Sequence, residues 1–167
     1  MFSLTNDQNV KWKKDGYFKL SQVFNSDQIS KISDYVNAII SWEDVHNKWM
    51  RWYEQTPGNS KSVCRIENYL DYHQELNSLL LKNNKIKTFI SDLLSEDVCL
   101  YKEKIIIKAP YGGGYVPHQD IYDLVGRQVH AIIMIAIDPA TEANGCVKYA
   151  INHGHTKEII GRDQNGK

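Results

Sequence analysis

Gly112-Gly113-Gly114-Tyr115-Val116-Pro117-His118-Gln119-Asp120 is the stretch on which the reading of this chain turns. A glycine-rich turn leads through a short aromatic and β-branched run into a His-x-Asp pair. Residues two apart on a strand point the same way, so His118 and Asp120 would share one face and Gln119 would take the other. An imidazole and a carboxylate are two of the three ligands of the 2-His-1-carboxylate arrangement that holds non-haem Fe(II) with open positions. The bare pair arises readily by chance. Its strand-like place and glycine entry leave a metal pair and an ordinary surface pair both open.

The flanks read as β-structure. Residues 98–108, with Leu100, Tyr101 and Ile105-Ile106-Ile107, are β-branched and aromatic enough for one long strand, closed by Pro110 and the glycine triplet. After the His-x-Asp pair, Val129-His130-Ala131-Ile132-Ile133-Met134-Ile135-Ala136-Ile137 is a continuous apolar run of the kind a buried strand shows. Pro139 to Asn144-Gly145 forms a turn, and Cys146 to Ile151 reads as a fourth strand.

Upstream the period is helical. Asn25 and Gln28 occupy capping-box positions, Phe24 can staple against Ile29, and Ile29, Ile32, Val36, Ile39 and Ile40 follow helical spacing. A helix is therefore predicted over residues 26–41. Two shorter ones follow, one carrying Leu76, Leu79 and Leu80 and one starting near Asn84 with Ile86, Phe89, Ile90, Leu93 and Leu94. Residues 15–20 suit a short edge strand bounded by Gly16, and Arg65 to Tyr69 another, with Arg65 and Glu67 on one face as a surface ion pair or a site pair. Helices first and closely spaced antiparallel strands afterwards predict an α+β, mainly β fold, with N-terminal helices packed on a sandwich or jelly roll. The 167 residues make one domain, mainly helical over 1–96 and barrel-forming over 97–167.

Composition excludes several classes. Lys+Arg and Asp+Glu are both 20, so no net charge draws the chain to nucleic acid or an anionic membrane. The Lys11-Trp12-Lys13-Lys14 cluster reads as solvated surface. No apolar run reaches the length of a membrane span, and residues 1–7 lack the marks of a signal peptide. Cys64, Cys99 and Cys146 are odd in number and far apart, which argues for a reducing, cytoplasmic setting. The glycine triplet lacks the Gly-Lys-Ser/Thr of a phosphate loop, and no Gly-x-Ser-x-Gly is present. His153 and His155 flank a glycine that favours a loop over a ligand strand, and His46, His73 and His130 have no partner motif. Residues 42–57 carry Trp42, Trp49, Trp52 and Tyr53 among charges, a mixture that suits either a core or the wall of a pocket for a small substrate.

The motifs taken together resemble a known family. Leu100-Tyr101-Lys102-Glu103-Lys104-Ile105-Ile106-Ile107-Lys108-Ala109-Pro110, the Gly112 to Asp120 stretch, Ala136-Ile137-Asp138 and Asn144-Gly145-Cys146 look like the phytanoyl-CoA dioxygenase (PhyH-like) family. Cys64-Arg65-Ile66-Glu67-Asn68-Tyr69 fits that family's upstream pattern. The resemblance implies a double-stranded β-helix (jelly roll, cupin-like) and an Fe(II)- and 2-oxoglutarate-dependent oxygenase, in which C–H hydroxylation accompanies conversion of 2-oxoglutarate to succinate and CO2. It places His118 and Asp120 as iron ligands and Gln119, Lys104 and Arg65 around the co-substrate. Asp120 sets the chain apart from related halogenases, which carry a small residue there.

By the same resemblance, the third ligand histidine and the arginine for the far carboxylate would lie beyond Lys167. The expectation is therefore a truncated barrel, the N-terminal part of a hydroxylase of a small polar metabolite. Trp49, Arg51, Trp52 and Tyr122 are candidates for the substrate pocket. The alternatives are a non-catalytic half-barrel, with a second chain or a homodimer covering its open edge, and a metal-free or zinc-loaded binder.

Overall fold

The computed structural model describes residues 4–82, 84–118 and 131–151. Helix α1 (Asn6–Asp15) opens the chain, closed at its start by a capping box in which Thr5 and Gln8 exchange hydrogen bonds of 3.0 and 3.2 Å. The strand anticipated over residues 15–20 does not form. Gly16 instead terminates α1 in the left-handed region at φ 77°, its N–H donating to the Trp12 carbonyl at 2.9 Å. Phe18 then bridges two helices by its ring, meeting Trp12 edge-on at 6.1 Å and Phe89 at 6.2 Å.

Helix α2 (Ser26–Ile40) stands where its capping box and period placed it, with Asn25 and Gln28 bonded reciprocally at 2.9 and 3.0 Å. Its stripe of Ile32, Val36 and Ile39 is buried and forms the core with Ile66, Tyr69, Leu70, Leu76 and Ile105. Short α3 (Gln74–Asn77) runs on into one π-helical turn (Ser78–Lys82), and α4 (Lys85–Leu94) buries Phe89. No helix among the described residues is long and apolar enough to cross a membrane.

Three antiparallel strands form one sheet in the order β1 (Met50–Thr56), β2 (Ser60–Glu67), β3 (Lys104–Ile106). The stretch expected to be mainly helical thus supplies two of the three strands. Gly58 and Asn59 turn the β1–β2 hairpin with φ of 81° and 62°. Arg51, Ile66 and Ile105 lie opposite one another in register and face the helices, and Ile66 and Ile105 are buried there. Arg51, a candidate for the substrate pocket, spends its guanidinium on the end of α2. It donates to the Trp42 carbonyl and, at 3.2 Å, to that of Ile40.

The long strand predicted over 98–108 is only three residues long. β2 ends at Glu67 and leaves residues 98–103 nothing to pair with, while Glu103 accepts the Leu70 N–H at 3.2 Å. Among the described residues neither 131–137 nor 146–151 forms a ladder, and Ile132, Met134 and Ile151 are exposed. An apolar run specifies burial only once a partner strand is present. The residues described have an α+β architecture, and a closed jelly roll is not what they form.

Candidate functional site

The face of the sheet turned away from the helices carries the residues of interest. Trp52, Arg65 and Ile106 are opposed across the three strands, and Glu67 and Lys104 are opposed one pair further on. Side chains alternate, so all five share this face. Two of the co-substrate residues named by the resemblance, Arg65 and Lys104, are therefore brought together by register. So is Trp52 of the substrate candidates.

Arg65 is built in from both sides. Its guanidinium lies over the Trp52 ring at 4.2 Å, and its Nε stands 3.4 Å from Glu67 Oε1. Glu67 is 2% exposed and takes a second cation, Lys102, at 3.2 Å. The surface-pair reading of Arg65 and Glu67 is thus corrected, since the carboxylate is buried. The buried carboxylate lies between the two cations and holds both heads in place.

Beside them lies a cleft of about 190 Å³ lined by Glu54, Cys64, Ile106, Lys108, Gly113 and Tyr115. Glu54 lies two residues on from Trp52 along β1 and so falls on this same side. The Glu54 carboxylate accepts the Gly113 N–H at 2.8 Å, and Lys108 Nζ donates to the Gly113 carbonyl while lying 5.1 Å from the Tyr115 ring. Glu54 and Lys108 carried no role in the sequence. Period two from Lys104 through Ile106 would have put Lys108 on the same face, but only the fold brings up Glu54, 59 residues from its partner.

His118 follows the cleft and is exposed, its ring 6.3 Å from that of Tyr115. Its Nδ1 is 2.7 Å from the Val116 carbonyl, which can only accept, so Nδ1 is the donor in this contact. A ring N–H donating to a backbone carbonyl is a contact that metal-ligating histidines often make with their other nitrogen. Among the described residues no three His, Cys, Asp or Glu side chains form a metal cluster. Asp120, Gln119, Tyr122, His130, His153 and His155 lie outside the described residues.

Trp49 is placed elsewhere. Its indole donates to the Glu43 carbonyl at 3.0 Å and packs on Trp42 at 4.4 Å and Tyr72 at 5.4 Å, in an aromatic group that also includes His73. It lines an open cleft of about 500 Å³ with Lys48, Met50 and Asn68.

An open sheet face carrying Arg65 and Lys104 lies next to a cleft whose glycine turn leads on to His118. Residues 12–164 match the phytanoyl-CoA dioxygenase (PhyH) family, and the chain belongs to it. It is 32% identical over 161 residues to the 2-aminoethylphosphonate dioxygenase of uncultured bacterium HF130_AEPn_1, covering 95% of this chain and 60% of that one. With the methylphosphonate hydroxylase of Gimesia maris it shares 34% over 166 residues, 98% of this chain and 62% of the relative. A probable alpha-ketoglutarate-dependent hypophosphite dioxygenase of Stutzerimonas stutzeri matches at 26% over 117 residues, 68% and 41% of the two chains. The chain thus spans about three fifths of the length of the first two relatives. No solved structure matches.

Proposed function

We propose that this chain is the N-terminal part of an Fe(II)- and 2-oxoglutarate-dependent dioxygenase that hydroxylates a small polar metabolite, built on a jelly roll that its three-stranded sheet begins. The observation that carries the reading is the sheet face shared by Arg65 and Lys104 with Ile106, which lines the cleft at the turn leading to His118. In this reading His118 and Asp120 hold the metal. Iron with 2-oxoglutarate would supply the oxidant for C–H hydroxylation.

The chain's own residues bind and orient. Arg65, stacked and planar, suits a carboxylate, and Lys104 and Lys108 add positive charge for a dianionic co-substrate. Gln119 contacts the co-substrate, and Trp52 and Tyr122 belong to the substrate side, while Trp49 lines the other cleft. The names of two relatives put organophosphonates first among substrates to try. The test is succinate release from 2-oxoglutarate with Fe(II) and each phosphonate. Release that depends on iron and rises with one phosphonate supports the reading, and none under any combination counts against it.

A second reading is favoured by the exposed Ile132, Ile133, Met134, Val147 and Ile151. In it the chain is a binding or dimerisation module whose open edge meets a second chain. Sedimentation would then show a stable dimer that takes up no metal.

A further inference from the structure

Gly113 is gripped from a strand far away in sequence. Glu54 on β1 accepts its N–H at 2.8 Å, and the other carboxylate oxygen, Oε1, is buried against Gly112 with no hydrogen-bond partner among the described residues. A Cβ on Gly112 would overlap Oε1 and come within 3.0 Å of the Ala109 carbonyl. A methyl group at Gly112 would therefore have to push the Glu54 head off the turn. Gly112 N–H also donates to the Ala109 carbonyl at 2.9 Å, which closes the turn immediately before the contact. Past it the chain has only Gly114 to Pro117 before it reaches His118.

A carboxylate that leaves one oxygen unbonded forgoes hydration there. The bonded oxygen gains a charge-assisted hydrogen bond to a main-chain amide. We propose that Glu54 is a positioning residue, fixing the Gly112–Gly114 turn to β1 and thereby setting where His118 is presented. The inference rests on the oxygenase reading only for the purpose of that placement. Glu54 touches neither metal nor co-substrate in this account.

The experiment uses the full chain as wild type, Glu54→Ala, Glu54→Gln and Gly112→Ala, followed by heteronuclear NMR and by Co(II) titration. In Glu54→Ala the Gly113 amide should exchange about tenfold faster, in line with the loss of one hydrogen bond. The resonances of Tyr115, Val116 and His118 should move while those of Ile39 and Ile66 stay. Co(II) affinity should fall about tenfold, as it does when partners behind a ligand are lost. Glu54→Gln keeps an acceptor oxygen and should recover most of both effects. Gly112→Ala should reproduce Glu54→Ala, and it decides the matter alone if that variant fails to fold.

A folded Glu54→Ala, or a folded Gly112→Ala, with unchanged Gly113 exchange and unmoved His118 signals overturns the proposal. So does Co(II) affinity equal to wild type in those variants, with the metal reading intact. A wild type that takes up no Co(II), while His118 still responds to Glu54, sinks the metal reading and supports the positioning role.

Discussion

Arg65 and Trp52 face each other across β1 and β2, with the guanidinium 4.2 Å from the centre of the indole. Stacking of this kind needs a planar cation, and a lysine head cannot replace it. Arg65→Lys should therefore keep the fold but weaken 2-oxoglutarate binding about tenfold, through loss of the two-pronged contact to a carboxylate. Calorimetric titration of the folded variant in the presence of metal checks this. Unchanged affinity removes Arg65 from the co-substrate site.

Glu67 lies buried between Arg65 and Lys102. Both cations retain some exposure, so water can take them over when the carboxylate is neutralised. Glu67→Gln should accordingly cost about 1–3 kcal/mol, the usual range for a weakened buried polar contact. Urea unfolding with an unchanged slope would measure it, and a loss near zero would mean the pair contributes nothing to stability.

Ile39 on α2 is fully buried beneath the sheet. Ile39→Ala should cost about 2–5 kcal/mol, and Asn25→Ala, which removes the cap of the same helix, about 1 kcal/mol. The contrast between the two separates core packing from helix closure in one set of denaturation curves.

Tyr69 is a buried phenol, and burial first, then the Glu103 carboxylate, hold its pKa well above the ordinary value of 10.0. The unfolded chain ionises near that ordinary value while the folded one does not. Stability from Tyr69 is thus complete below about pH 10 and falls as pH rises towards the folded pKa. The melting temperature should drop more steeply above pH 10 in wild type than in Tyr69→Phe. Parallel slopes for the two proteins would remove this cause.

Legibility followed locality. Helix α2 was readable because its cap and its stripe lie within sixteen consecutive residues, Asn25 to Ile40. The β1 strand was hidden by mixed aromatic and charged residues, while the bulge opposite Trp52/Tyr53 puts its extra residue, Cys64, in β2. Gly16 was ambiguous, since a glycine bounds strands and closes helices alike, and only the Trp12 hydrogen bond decides between them. In the site, Arg65 and Lys104 were named from the family pattern, but their common face is a property of register between strands 37 residues apart in sequence. Glu54 could not be seen at all, because nothing local marks a carboxylate that meets a glycine on another element.

The central claim is that His118 helps hold a metal on which 2-oxoglutarate binding depends. Its most direct test is anaerobic calorimetric titration of 2-oxoglutarate into wild type and His118→Ala, each with and without Fe(II). The account predicts binding by wild type only when Fe(II) is present and none by His118→Ala in either condition. Binding without metal, equal binding by the folded His118→Ala variant, or no binding by wild type with Fe(II) would contradict it.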